Sequence, residues 1–200
     1  MESTTTSNAT NDDNSRTVAP QWMYRLNAAT KWYITVANTA GIWLRVPQYE
    51  GPLVVVGAIA SVYLTDVLKR IFNQNRPADA PFADPGMPSS HALVSCFLAA
   101  AWSGLWLLPQ QQVGASAMVW TAAAMTSVLR VTCGYHTRAQ IAVGAVVGSA
   151  LGAAWAAGSA VVYARYPRAT AVTAWTAYVA GSALFIVQRM TKWVTEEKHL

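Results

Sequence analysis

From Lys31 onward the chain alternates long apolar runs with short polar punctuation. The runs are too long for strands and predict helices over residues 31–46, 53–71, 91–108, 113–132, 139–163 and 168–188. A helix needs about 20 mostly apolar residues to cross the hydrocarbon of a bilayer, and the last four runs meet that length. The first is short and carries Asn38 and Thr39, so it is expected to tilt or to insert only in part, which leaves five spans as an alternative to six. The second holds Asp66 within its final turns. A carboxylate there is expensive in lipid and should face the protein interior or the interface. The fifth contains GAVVGSALG, with Gly144, Gly148 and Gly152 four apart, a spacing that lets two helix backbones approach closely.

The ends of the chain read differently. Residues 1–20 are polar and too poor in apolar groups to bury a core, so a disordered N-terminal tail is expected over 1–24. A membrane domain over 25–193 and a short charged tail over 194–200 complete the organisation. The N-terminal stretch lacks the basic region and apolar run of a secretory signal peptide. Asn8-Ala9-Thr10 matches a glycosylation sequon.

Composition agrees with a membrane protein. Apolar residues make up 54% of the 200 positions and charged residues 12%, about half the charged share of an ordinary soluble domain. The formal charge of +5 comes from residues at the edges of apolar runs, with no basic stripe interleaved with aromatics, so no nucleic-acid partner is expected. No obligate protein partner is evident. Cys96 and Cys133 lie in apolar surroundings without metal-ligand spacing and read as small core residues.

The polar residues that remain are concentrated. Counting spans puts the segment after the second run and the segment after the fourth on the same side of the membrane. The first opens with KRIFNQNRP and closes with PSSH; the second reads LRVTCGYHTRAQ. Lys69, Arg76, His91, Arg130 and His136 can therefore meet at one face of the bundle. Taken singly, Lys69 is an ordinary snorkelling residue, Arg76-Pro77 a turn and His91 an interfacial residue. Taken together, three cations, two histidines and a serine pair suggest an oxyanion site, because guanidinium forks match phosphate oxygens and lysine adds a point charge. Ser89, Ser90 and His91 open a helix, where free N–H groups and the dipole favour an anion. Phosphoryl transfer needs little beyond such positioning, a nucleophile and an acid for the leaving group. Asp66 lies three residues before Lys69; it either orients the lysine or is an unrelated helix-end carboxylate. Gln140, four residues after His136, is placed for its carbonyl oxygen to accept the histidine Nδ1–H.

These blocks resemble the type 2 phosphatidic acid phosphatase superfamily. Its pattern is Lys, six residues, Arg-Pro; then Pro-Ser-Gly-His; then Ser-Arg, five residues, His, three residues, Asp. The chain carries Lys69 with Arg76-Pro77, then Pro88-Ser89-Ser90-His91, then Leu129-Arg130 with His136 and Gln140. Serine thus replaces glycine at 90, leucine replaces serine at 129 and glutamine replaces aspartate at 140. The GMPSSH block and the glutamine look like the dolichyldiphosphatase branch and its plastid and cyanobacterial relatives. The resemblance implies an all-α integral membrane protein, a bundle of about six transmembrane helices with the active site at one membrane face. It implies His136 as nucleophile, His91 as general acid, and Lys69, Arg76, Arg130, the Ser89 hydroxyl and the Ser90 N–H as phosphate ligands. No cofactor and no metal are expected. The expected substrate is a lipid phosphate or diphosphate in the membrane, foremost dolichyl diphosphate in lipid-carrier recycling for N-glycosylation. Phosphatidic acid or a related lipid monophosphate is the alternative, and a non-catalytic membrane scaffold the alternative of a different kind. Eleven of the 14 Lys and Arg residues fall on the active-site side, which by charge alone would face the cytosol. The dolichyl resemblance implies the lumen of the endoplasmic reticulum, and that placement is the one expected.

Overall fold

A computed structural model describes residues 19–44, 48–78 and 80–190. The described residues form six helices and no strand: α1 Gln21–Trp43, α2 Glu50–Phe72, α3 Ser90–Trp102, α4 Val113–Thr132, α5 Arg138–Arg165 and α6 Pro167–Phe185. Wider π turns extend α3 over Ser103–Leu107 and α6 over Ile186–Met190. Each apolar run of the sequence lies largely within one of these helices. The exception in extent is α1, which begins at Gln21 directly after Pro20, inside the stretch expected to be a tail. Residues 1–18, with the Asn8 sequon, and the expected tail 194–200 lie outside the described residues.

Four helical stretches are long and apolar enough to cross a membrane: Glu50–Phe72, Ser90–Leu107, Arg138–Arg165 and Pro167–Arg189. α4 has the length, but Ser116, Thr121, Thr126, Ser127 and Arg130 dilute its apolar content. Three of these polar groups are absorbed locally, as Thr121, Thr126 and Ser127 donate back to carbonyls four residues earlier. α3 is the central helix, with 67% of its span buried against 11% in α6. The outer faces of α5 and α6 present Val161, Val172, Val179 and Leu184 outward, as a lipid-facing surface would.

The closest packing is α3 on α5. A Cβ on Gly144 would meet the Ser89 carbonyl oxygen at 2.8 Å, one on Gly148 the Leu93 oxygen at 2.1 Å, and one on Gly152 the Phe97 oxygen at 2.4 Å. Glycines four apart on one helix therefore follow carbonyls four apart on the other, turn for turn. Both numberings rise together, so the helices run parallel and start at the same face. Two positive dipole ends converge there. Farther along, Val54, Ala58, Phe97, Leu98, Ala101, Leu105 and Ala156 close the core between α2, α3 and α5. Cys96 and Cys133 are buried and unbridged.

Candidate active site

The segment between α2 and α3 and the turn between α4 and α5 are shaped mainly by backbone hydrogen bonds. Asn73 ends α2 in the left-handed conformation (φ 41°) and donates its N–H to the Lys69 carbonyl, a helix stop that asparagine tolerates. The segment then folds back, with the Gly86 N–H on the Gln74 carbonyl at 2.7 Å and the Ser89 N–H on the Gln140 carbonyl at 3.1 Å. After α4, Gly134 turns the chain at φ 72°, a conformation that costs a side-chain-bearing residue more. The N–H groups of Tyr135 and His136 both return to the Arg130 carbonyl, at 3.0 and 3.2 Å. Thr137 then caps α5: its hydroxyl accepts the Gln140 N–H at 3.2 Å, and Gln140 Oε1 accepts the Thr137 N–H at 3.1 Å.

That reciprocal cap determines the chemistry of His136. Gln140 Nε2 donates to the Asn75 carbonyl at 2.8 Å and reaches Gln74 Oε1 at 3.1 Å. One end of the amide thus faces a backbone acceptor and the other a backbone donor, so its orientation is forced. Gln140 Oε1 lies 3.2 Å from His136 Nδ1, and an acceptor there requires the proton on Nδ1. Nε2 is left with its lone pair, 3.0 Å from Arg76 Nη1. Burial first, then the charges of Arg76 and Arg130, push the histidine pKa down to about 3. The ring is neutral at ordinary pH, with Nε2 free of a proton.

Arg76 touches this nitrogen, and the other cations lie close enough to act on the ring. Arg76 also donates through Nη1 to the Tyr135 carbonyl at 3.1 Å and lies over the Phe82 ring. Arg130 is buried, packs its guanidinium 4.4 Å from the Tyr135 ring centroid, and donates to Asn27 Oδ1 at 3.2 Å. Lys69, Arg76 and Arg130 all act electrostatically on His136, and Lys69, Arg130 and His136 on His91. The Ser89 hydroxyl and Arg130 Nε are buried with no hydrogen-bond partner among the described residues. Buried polar atoms of this kind call for a partner, and both suit an oxyanion. Ser90 is the first residue of α3, so its N–H has no acceptor within the helix. Among the described residues no three His, Cys, Asp or Glu side chains group as a metal site.

Asp66 does not belong to this group. Its carboxylate pairs with Arg189 beyond the end of α6, where Arg189 also covers the Tyr63 ring and Gln188 accepts from the Tyr63 hydroxyl at 2.8 Å. Lys69 pairs instead with Asp84. The reason is rotational: Lys69 points into the bundle and is 9% exposed, whereas Asp66 faces α6. Of the two roles open to Asp66, the pairing with Arg189 is that of a carboxylate at the helix end, clamping α2 to α6.

The sequence reading missed four residues here. Asp84, Asn27 and Gln74 lie far along the chain from some or all of their partners, and no local signal marks them. Thr137 carried one, because Thr-Arg-Ala-Gln ahead of an apolar run is a capping-box pattern.

A helical membrane bundle that gathers Lys69, Arg76, Arg130 and two histidines at the face where α3 and α5 begin defines the class of multi-pass membrane proteins to which the chain belongs. The PAP2 superfamily model matches residues 52–161, more than half the chain, and the chain belongs to that superfamily. It is 36% identical over 136 residues to lipid phosphate phosphatase epsilon 1, chloroplastic, of Arabidopsis thaliana, covering 65% of this chain and 48% of the relative. It is 33% identical over 138 residues to the epsilon 2 protein of the same plant, also chloroplastic, covering 64% and 46%. The chain thus spans about half the length of the curated relatives it matches. Among solved structures, a transmembrane PAP2-type phosphatidylglycerolphosphate phosphatase from Bacillus subtilis shares the fold. The TM-score is 0.56 at 18% identity, over 70% of this chain and 78% of that one.

Proposed function

We propose that the protein is a multi-pass membrane lipid phosphatase that works through a phosphohistidine. The observation that carries this reading is His136 Nε2, held unprotonated by the forced Gln140 amide and set 3.0 Å from an Arg76 nitrogen. Lys69, Arg76, Arg130 and the Ser89 hydroxyl hold the non-bridging phosphoryl oxygens, with the Ser90 N–H at the start of α3. Nε2 attacks phosphorus, the bond to the lipid oxygen breaks, and His91 protonates the departing oxygen. A water activated by His91 then attacks the phosphohistidine, releasing phosphate and restoring the free imidazole. The Arabidopsis relatives are named as lipid phosphate phosphatases, and a lipid phosphate such as phosphatidic acid is the first substrate of this reading. The decisive assay offers phosphatidic acid and a polyprenyl diphosphate side by side to purified protein in detergent. Phosphate is expected from phosphatidic acid, and His136→Ala should lower the rate at least ~10³-fold. Substantial turnover in that variant would remove the nucleophile from the reading.

A second reading draws on Gln140 and Ser90, the two replacements shared with the dolichyldiphosphatase branch. In it the substrate is dolichyl diphosphate and the site faces the lumen of the endoplasmic reticulum. Faster hydrolysis of the polyprenyl diphosphate would favour it. Lumenal placement with six spans also exposes Asn8, so expression in a eukaryotic cell should yield a glycosidase-sensitive mass shift that Asn8→Gln abolishes. An unshifted wild-type band would argue for the basic face lying toward the cytosol or its equivalent.

A further inference from the structure

Asp84 occupies the position of a ligand. Its Oδ2 pairs with Lys69 Nζ, and Arg76 Nη2 reaches Oδ1 at 2.9 Å and Oδ2 at 3.0 Å. These are two of the three cations assigned to the phosphoryl group, and the other terminal nitrogen of Arg76 is the one beside His136 Nε2. A carboxylate and an edge of a phosphate present the same pair of oxygens to a guanidinium. One anion therefore holds donors that a substrate needs.

The carboxylate and its backbone are held differently. Arg76 Nε donates to the Asp84 carbonyl at 3.0 Å, and two residues later the Gly86 N–H is on Gln74. Gly86 itself packs against the Gln140 amide, where an added Cβ would lie 2.6–2.8 Å from the side-chain atoms. The main chain is pinned. The Asp84 side chain is 49% exposed, so its carboxylate can turn into water while the segment stays in place. Burial alone would raise the Asp84 pKa, but the hydrogen bonds and charges of Lys69 and Arg76 outweigh it and hold the group below the usual carboxylate value. It is an anion throughout the neutral range.

We propose that Asp84 is the chain's own competitor for the phosphate site, a carboxylate that holds Lys69 and Arg76 between turnovers and is displaced by the incoming phosphoryl group. The proposal rests on the phosphatase reading. Its consequence is a residue that sets the affinity of the site for free oxyanions. Three cations gathered on one anion would hold released phosphate tightly, and the returning carboxylate helps expel it. A lipid substrate is less disadvantaged, because the bilayer concentrates it and its tail adds contacts that inorganic phosphate lacks.

A purely positioning role for Asp84 makes the opposite prediction. If the carboxylate only braced Lys69 and Arg76, its loss would loosen them and weaken anion binding. The sign of the change therefore decides. Calorimetric titration of inorganic phosphate into the detergent-purified full chain would compare wild type, Asp84→Asn and Asp84→Ala, each with Arg76 intact and with Arg76→Ala. Size-exclusion profiles and melting curves establish which variants are folded, and two replacements of different size guard against one failing. If the carboxylate holds the site in ~90% of molecules, removing it tightens binding ~10-fold. Tighter, Arg76-dependent binding in a folded Asp84 variant supports the proposal, even where the wild type shows none. Arg76-dependent binding that is unchanged or weaker in the variants overturns the role of Asp84 alone. No Arg76-dependent binding in any variant overturns the phosphatase reading along with it.

Discussion

The amide of Gln140 is fixed by two backbone groups, the Thr137 N–H and the Asn75 carbonyl, and through it the tautomer of His136 is fixed as well. A neutral amide does this without adding charge. With its pKa near 3, His136 stays unprotonated down to strongly acidic solution and does not set the acidic limb of kcat/KM in the free enzyme. Gln140→Asp should keep activity but place a negative charge on Nδ1–H. That charge stabilises the imidazolium, raises the His136 pKa and moves loss of the neutral ring to higher pH. The acidic limb of the pH–rate profile should shift upward once the raised His136 pKa passes that of the group limiting the wild type. Gln140→Leu leaves the Thr137 N–H without its acceptor and the ring without its guide, and should cost roughly 10²-fold or more across the whole profile. Wild-type rates in the leucine variant would show that residue 140 only packs. The contact between His136 and Gln140 was legible from their spacing of four. The Gln74 and Asn75 partners that hold the amide from the other side were not, since they lie 65 or 66 residues away.

At the level of elements, the α3–α5 contact places the serine pair and His136 at one face. Its glycines were visible as a repeat of four, but which helix they met was not, because a small-residue stripe specifies close approach and not a partner. Adding one methyl to Gly148 puts a carbon 2.1 Å from the Leu93 oxygen, a backbone atom that cannot swing aside. Gly148→Ala should therefore cost about 1–3 kcal/mol, read as a lower melting temperature in detergent. Activity should fall with it, since α3 carries Ser90 and His91. Gly158 on the same helix has open space around its Cβ position. Gly158→Ala should be neutral or stabilise by up to about 1 kcal/mol. Equal melting temperatures for the two variants would mean that the register between the helices is not tight. The same element-level reasoning explains why the sequence left two roles open for Asp66. Spacing along α2 allowed Asp66 to reach Lys69, but the packing of α6 against α2 supplied Arg189, and the returning segment supplied Asp84 to the lysine.

Across the whole molecule, α1 lies outside the segment matched to the superfamily yet contributes to the site. Asn27 is 1% exposed and accepts from Arg130 at 3.2 Å, with the Tyr135 hydroxyl as a further partner. Asn27→Ala removes a buried acceptor from Arg130, proposed above to hold phosphate, an effect worth about 1–3 kcal/mol. kcat/KM should fall by roughly 10-fold or more, whereas a change below about twofold would make α1 a cover and nothing else. Chemical identity and local spacing were enough, in the sequence alone, to determine the helices, the membrane class, the Lys69–Arg76, Ser89–His91 and Arg130–His136 blocks and the superfamily. Each of those depends on residues within a few turns of one another, where helical geometry leaves little freedom. Tertiary structure alone decided that Asp84 holds the cations, that Asn27 supports Arg130, that Asp66 faces Arg189 and that the Gln140 amide can point only one way. Most of these contacts join residues distant along the chain. The others depend on the path of one segment or the rotation of one helix, which hydrophobic pattern does not specify.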